Sequence, residues 1–376
     1  MKPKVAIVCD FLTKFGGAQQ VLLSISELYP EAPIFCLLYD EEGTLGKFKN
    51  RKIIPSSLQK KPAFLRNRLK FLLPSFPKAI EEFDLSEYDV VISSNDSFAH
   101  GAITKPDTFH ICYCHTPMRY AWDWCHEYLK ESGVDHGLKG LIARILIHNI
   151  RIWDRASSER VDSWIANSDN VKQRIRKYYR QDSSVIYPPV SVEEIKPNGE
   201  APEDFYLIAS RLEPYKKIDL AVEAFNQSGR QLIVVGEGSQ FEYLSSIAKK
   251  NVQFVGPKYG QELYDYFARA KAFIFPGEDD FGITPVESMA AGRPVIAYKK
   301  GGTLETIIPS KTGIFFEEQT IESLNSAIQS LEQDYSDFTP EGCRSQAEKF
   351  SKEEFKKMIS DKVVSEYKKY IESNKK

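Results

Sequence analysis

The sequence predicts two doubly wound α/β units in tandem. Three observations carry that expectation: the length, an alternation of short apolar runs with amphipathic stretches, and a break at paired prolines. At 376 residues the chain exceeds what one core usually supports, so two domains of ordinary size are expected. The alternation is how parallel sheets with crossover helices read, and it occurs twice. In the first half the predicted strands are Val5–Cys9, Ile34–Leu38, Tyr88–Ile92, Phe109–Cys114 and Trp164–Ala166. In the second they are Phe205–Ala209, Gln231–Val235, Val252–Val255, Ala272–Phe275 and Pro294–Ala297, with helix from about residue 319 onward. Between them, Pro188 and Pro189 forbid helix and restrict the residue before them, which puts the linker near Val185–Val192. The expected domains are residues 1–187, residues 188–350, and a C-terminal helix at 351–376 packing back on the first.

Composition narrows the class. Hydrophobic residues make up 42% and charged residues 27%, the balance of an ordinary globular protein. No run reaches the roughly 18 apolar residues of a spanning helix, and the start leads straight into a core strand, so a cytoplasmic protein is expected. The six cysteines, at 9, 36, 112, 114, 125 and 343, have neither zinc-ligand spacing nor disulfide-scaffold density and read as reduced and buried. The total of 50 basic against 52 acidic residues suggests no nucleic-acid partner, but it hides an asymmetry: residues 43–80 hold ten Lys or Arg and no carboxylate. Inside it, Phe64–Leu73 mixes cations with large apolar side chains at spacings that a short helix sorts onto two faces. Two readings stay open for residues 47–78: an anionic membrane surface bound from the inner side of the plasma membrane, or a solvated basic loop.

In open parallel sheets ligands bind beyond the carboxyl ends of the strands, so the chemistry-bearing residues should follow strands. They do. Gly16 and Gly17 follow the first and open a helix, a turn that lets backbone N–H groups approach an anion. Arg211 and Lys216 follow Phe205–Ala209 around a proline turn, two cations suited to a diphosphate. Asp279 follows Ala272–Phe275, and the amides of Gly282, Ile283 and Thr284 would point from a helix start towards a phosphate, with Glu287 a turn further in. His115 follows Phe109–Cys114. All six histidines fall between 100 and 148 without metal-binding spacing, so no metal is expected. Tyr120, Trp122 and Trp124 read either as a sugar-stacking surface or as core.

These residues resemble the retaining glycosyltransferases of sequence family four, which have the GT-B fold of two Rossmann-like domains facing a cleft. The likeness spans nearly the whole chain. Its strongest element is the pair of acidic residues eight apart, Asp279 and Glu287, within Asp-Asp-Phe-Gly-Ile-Thr-Pro-Val-Glu-Ser-Met-Ala-Ala-Gly-Arg-Pro-Val. The resemblance implies that the first carboxylate meets the donor sugar, Glu287 holds the ribose, Arg211 and Lys216 hold the diphosphate, and Gly16 and Gly17 form the amino-terminal glycine loop. The family has a glutamate where this chain has Asp279, with Glu278 immediately before it, so either carboxylate could fill that position. Cys112-Tyr-Cys-His-Thr-Pro-Met-Arg-Tyr-Ala-Trp-Asp123 adds a likeness to bacterial mannosyltransferases of surface polysaccharide synthesis, whose active-site histidine His115 matches. That implies GDP-mannose as donor, a glycan or lipid-linked glycan as acceptor in the first domain, and no cofactor.

Alternative functions are a glycosyltransferase using a UDP-sugar, a sugar-nucleotide epimerase of the same architecture, and a non-catalytic nucleotide-sugar or lipid-surface binding protein. An epimerase would change the donor sugar with no acceptor present. A binding protein would not hydrolyse it.

Overall fold

A computed structural model of the chain describes residues 3–66 and 68–374. They form two compact units, one from the start to Tyr187 together with the tail from Lys356, the other Pro188–Phe355. In the first unit β1 (Val5–Leu12), β2 (Ile34–Tyr39), β3 (Ile53–Pro55), β4 (Val90–Asn95), β5 (Phe109–Cys114), β6 (Ser163–Ala166) and β7 (Ser183–Val185) make a parallel sheet ordered β3-β2-β1-β4-β5-β6-β7. Parallel strands are covered on both faces and so are written as continuous apolar runs. Accordingly β4 and β5 are buried at every residue.

The second unit repeats the plan. β8 (Tyr206–Ala209), β9 (Leu232–Val235), β10 (Val252–Gly256), β11 (Ala272–Phe275), β12 (Val295–Tyr298) and β13 (Gly313–Phe316) form a parallel sheet ordered β10-β9-β8-β11-β12-β13. Each sheet reverses its winding once, between β1 and β4 in the first and between β8 and β11 in the second. Those two reversals are where loops from neighbouring strands diverge and leave a crevice. The chain ends in helix Lys352–Asn374. From Lys356 on it returns to the first unit, where Lys356 pairs with Glu27 at 2.6 Å and the Tyr370 ring lies 5.3 Å from Phe109.

Two expectations need correction. Three strands have no counterpart in the sequence reading: β3, β7 and β13, all at sheet edges. An edge strand pairs on one side only and need not be apolar; Ser183-Ser184-Val185 is half-buried throughout. The helix expected across Phe64–Leu73 is instead two single turns, Ala63–Arg66 and Leu69–Leu72. Prolines 62 and 74 bracket the stretch, Arg68 supplies no side-chain cap, and of the two turns only Leu72 is buried, so little offsets the cost of nucleating a helix.

Candidate functional site

In the second unit the winding reversal gathers several of the predicted residues. Arg211 lies just past β8, exposed, with Nη2 donating to the Tyr215 hydroxyl at 2.8 Å. Pro214 fixes the first dihedral of a 3-10 turn, Pro214–Lys216, which returns Lys216 over the end of the sheet. There its ammonium forms an ion pair with Asp279, in the loop after β11, and lies 5.8 Å from the Phe275 ring. Gly277 permits this approach, because a Cβ at 277 would stand 2.9 Å from the Lys216 backbone. The two loops of the reversal are thereby clamped together.

The loop after β11 then turns into helix Ile283–Ala290 through Gly282, whose φ of 84° is one that L side chains rarely adopt. No side chain caps this helix, so its first N–H groups, those of Ile283 and Thr284 included, are not satisfied by a capping side chain. The positive end of the helix follows directly on the loop whose Asp279 pairs with Lys216. One turn in, Glu287 is 8% exposed, and burial alone pushes its carboxyl up to about 7. Among the described residues none hydrogen-bonds that carboxyl. Glu278 goes elsewhere: its carboxylate pairs with Lys300 at 3.2 Å. The sequence reading passed over Lys300-Gly301-Gly302, which follows β12 and backs the acidic loop, the Gly302 N–H donating to the Asp279 carbonyl at 2.9 Å. A glycine doublet just past a strand, the signal used for Gly16 and Gly17, would have found it.

The first unit holds the other predicted residues. Gly16 is extended at φ −163° and precedes helix Gly17–Leu28, which has no side-chain cap either. A Cβ at 16 would meet only the Gln19 side-chain oxygen, at 3.4 Å, so neither backbone nor packing demands a glycine there. At the end of β5, His115 is buried, with Nε2 2.9 Å from Ser94 Oγ, its N–H on the Asn95 carbonyl and its carbonyl accepting from Asn167. Burial lowers its pKa to about 3, so the imidazole is neutral. It can orient or accept a hydrogen bond but carries no proton charge at pH 7.

Asp10, which the sequence reading left without a role, organises the first reversal. Its carboxylate, at the end of β1, accepts four backbone N–H bonds from Asp96, Ser97, Phe98 and Ala99 in the loop after β4, at 2.6 to 2.9 Å. Burial, with the charge of Asp96, pushes that carboxyl up to about 7 while the N–H bonds oppose the rise. Trp122 is structural: it stacks on Tyr178 at 4.8 Å and donates to buried Asp154 at 2.7 Å. All six cysteines are free and buried. Among the described residues no group of three or more His, Cys, Asp or Glu is placed to hold a metal ion.

Two doubly wound parallel units with loops suited to a phosphate at a winding reversal define the GT-B class of sugar-nucleotide-dependent folds. The family models agree across almost the whole chain: residues 15–194 match Glycosyltransferase Family 4, and residues 191–354 match Glycosyl transferases group 1. The chain belongs to glycosyltransferase family four. Its relatives include the alpha-1,3/1,6-mannosyltransferase ALG2 of Kluyveromyces lactis, 25% identical over 73% of this chain and 62% of that one. Another is a GDP-mannose-dependent alpha-mannosyltransferase of Mycobacterium tuberculosis, 28% identical over 38% of each. The chain thus spans under two thirds of the length of these curated relatives. Among solved structures, HepE of Anabaena in complex with UDP superposes with a TM-score of 0.73 at 17% identity, over 96% of this chain and 100% of that one.

Proposed function

We propose that this protein transfers a hexose, mannose from GDP-mannose, to a hydroxyl of a glycan or lipid-linked glycan, with retention and without a bound metal. The observation that carries this reading is the Lys216–Asp279 pair set against the uncapped start of helix Ile283–Ala290, with Glu287 buried a turn further in. A cation, a row of N–H donors and a carboxyl suit a diphosphate followed by a ribose. The mannosyl donor is supported by the two mannosyltransferase relatives.

In this mechanism the acceptor hydroxyl attacks C1 on the face from which the diphosphate departs. The C1–O bond to the diphosphate breaks, the new glycosidic bond forms, and the acceptor proton passes to the leaving diphosphate oxygen. Arg211, Lys216 and the amides of Gly282, Ile283 and Thr284 stabilise the charge growing on that oxygen. Asp279, steered by Lys216, takes the sugar hydroxyls, and Glu287 takes the ribose. The neutral imidazole of His115 orients the sugar through a hydrogen bond rather than as an acid. The open space at Gly16, together with Gly17, admits the substrate to the backbone. Residues 47–78 offer a basic surface to anionic headgroups, which would place the enzyme on the inner face of the plasma membrane.

Thermal-shift measurements with GDP-, UDP- and ADP-sugars test the donor, since a ligand at 100 times its Kd adds about 2.7 kcal/mol. The expected result is the largest shift with GDP-mannose. A larger shift with UDP-glucose replaces the donor. Sugar isomerised with no acceptor present replaces the reaction with epimerisation.

A further inference from the structure

The longest helix within the first unit's body, Gly137–Ser157, has two apolar faces, and only one of them is used. Its inward face puts Gly140, Ile147, Ile150, Asp154 and Ser157 in the interior. The opposite face carries Leu138, Leu141, Ile142, Ile145 and Ile152, each between 50% and 72% exposed. At 100° per residue these five positions share a stripe about 100° wide. A helix of a globular domain normally turns charged residues to that side. From Gly137 to Trp153 this one has no carboxylate at all, and Lys139 and Arg144 flank the stripe.

The first unit exposes further large apolar side chains. Phe64 and Phe71, on the two single turns Ala63–Arg66 and Leu69–Leu72, are 66% and 68% exposed. Those turns abut the approach to the helix, because Lys70 reaches the Ser132 hydroxyl at 3.4 Å and lies 5.9 Å from the Tyr128 ring. Leu72, Leu129, Ile147 and Ile150 belong to one buried cluster, so both elements turn their other sides to the same core. The basic segment 43–80 and the helix, which holds no carboxylate from Gly137 to Trp153, therefore pack on one buried cluster. The nearest acid before the helix, Asp135, is paired with His136 at 3.2 Å.

We propose that the outward stripe of helix Gly137–Ser157, with Phe64 and Phe71, is an insertion surface for an anionic lipid bilayer. Charge decides the occupant. A second copy docked through a two-fold axis would set one carboxylate-free basic face against another, whereas anionic headgroups neutralise the cations while their acyl chains take the Leu and Ile side chains. Among the described residues no helix is long and apolar enough to cross a membrane, and this stripe is one-sided, which suits a helix lying in the interface. The surface stands independently of the donor and sugar proposed above, and it adds the apolar element that a basic segment alone lacks.

The test is flotation of the full chain with vesicles of phosphatidylcholine alone and with added phosphatidylglycerol, at low and high salt. The parent is expected to float with the anionic vesicles at low salt. Leu141→Ser/Ile145→Ser, at exposed positions, should lower partitioning by at least about tenfold, with melting temperature and GDP binding unchanged. Ile142→Trp should blue-shift its emission on adding anionic vesicles, a readout that requires no loss of function. The proposal is overturned if the parent binds no vesicles or if the double variant binds as the parent does. It is equally overturned if sedimentation equilibrium without lipid finds a dimer that the double variant dissociates.

Discussion

Glu287 offers a test in which stability and binding should move in opposite directions. Its carboxyl titrates near 7 in the fold, raised by burial from the ordinary value of 4.5. For a carboxyl raised on folding, stability is fully present below the unfolded pKa and is lost as pH rises through the folded one. Above pH 7 the loss is the 2.5-unit difference, 7 minus 4.5, at about 1.36 kcal/mol per unit, or a ceiling of about 3 kcal/mol. At pH 5 the same linkage leaves less than about 1 kcal/mol. Glu287→Gln keeps the shape and removes the charge. It should raise the melting temperature of the parent by several degrees at pH 8 and hardly at all at pH 5, given roughly 2 to 4 °C per kcal/mol for a domain of this size. Isothermal titration with GDP at pH 8 should show weaker binding by the stabilised variant, since the ribose contact loses its strong acceptor. A melting difference that is the same at both pH values would refute the desolvated-carboxylate argument. Unchanged GDP affinity would remove Glu287 from the donor site even if the stability change appears.

Arg211→Ala and Lys216→Ala should each weaken GDP binding by roughly 1.5 to 3 kcal/mol, the worth of a charge-assisted bond, as measured by calorimetry; parent-like affinity in both would move the diphosphate elsewhere. Asp279→Ala should reduce turnover while Glu278→Ala, whose carboxylate pairs with Lys300, leaves it near parental; the reverse pattern in a transfer assay would assign the sugar contact to Glu278. Gly277→Ala should lose donor binding together with some stability, because its Cβ would stand 2.9 Å from the Lys216 backbone and push the two loops apart, which GDP titration and a melting curve both read. His115→Gln should lower kcat without shifting any pH optimum between 5 and 8, since the imidazole, with a pKa of about 3, does not titrate there.

How far the sequence reads depends on how local each cause is. β5 and β11 are delimited to the residue, Phe109–Cys114 and Ala272–Phe275, because a central parallel strand is apolar on both faces and announces itself. β3, β7 and β13 are not, because pairing on one side lets Ser183 and Ser184 stand in a strand that no pattern marks. The reversal at β8 and β11 is a property of strand order, so the approach of Lys216 to Asp279, sixty-three residues apart, belongs to topology; the sequence supplies only two loops, each just past a strand. Asp10 shows the same limit in another form. Its four N–H donors lie 86 to 89 residues away, and nothing near Asp10 distinguishes a loop-organising carboxylate from a surface one. The helix Gly137–Ser157 hides its outer stripe for the opposite reason: with apolar residues on two faces the 3.6-residue period blurs, and only the fold says which face the core takes. What the core leaves over is then the informative part, because five branched side chains left in water, on a helix with no carboxylate from Gly137 to Trp153 to solvate them, need a partner that the interior does not supply.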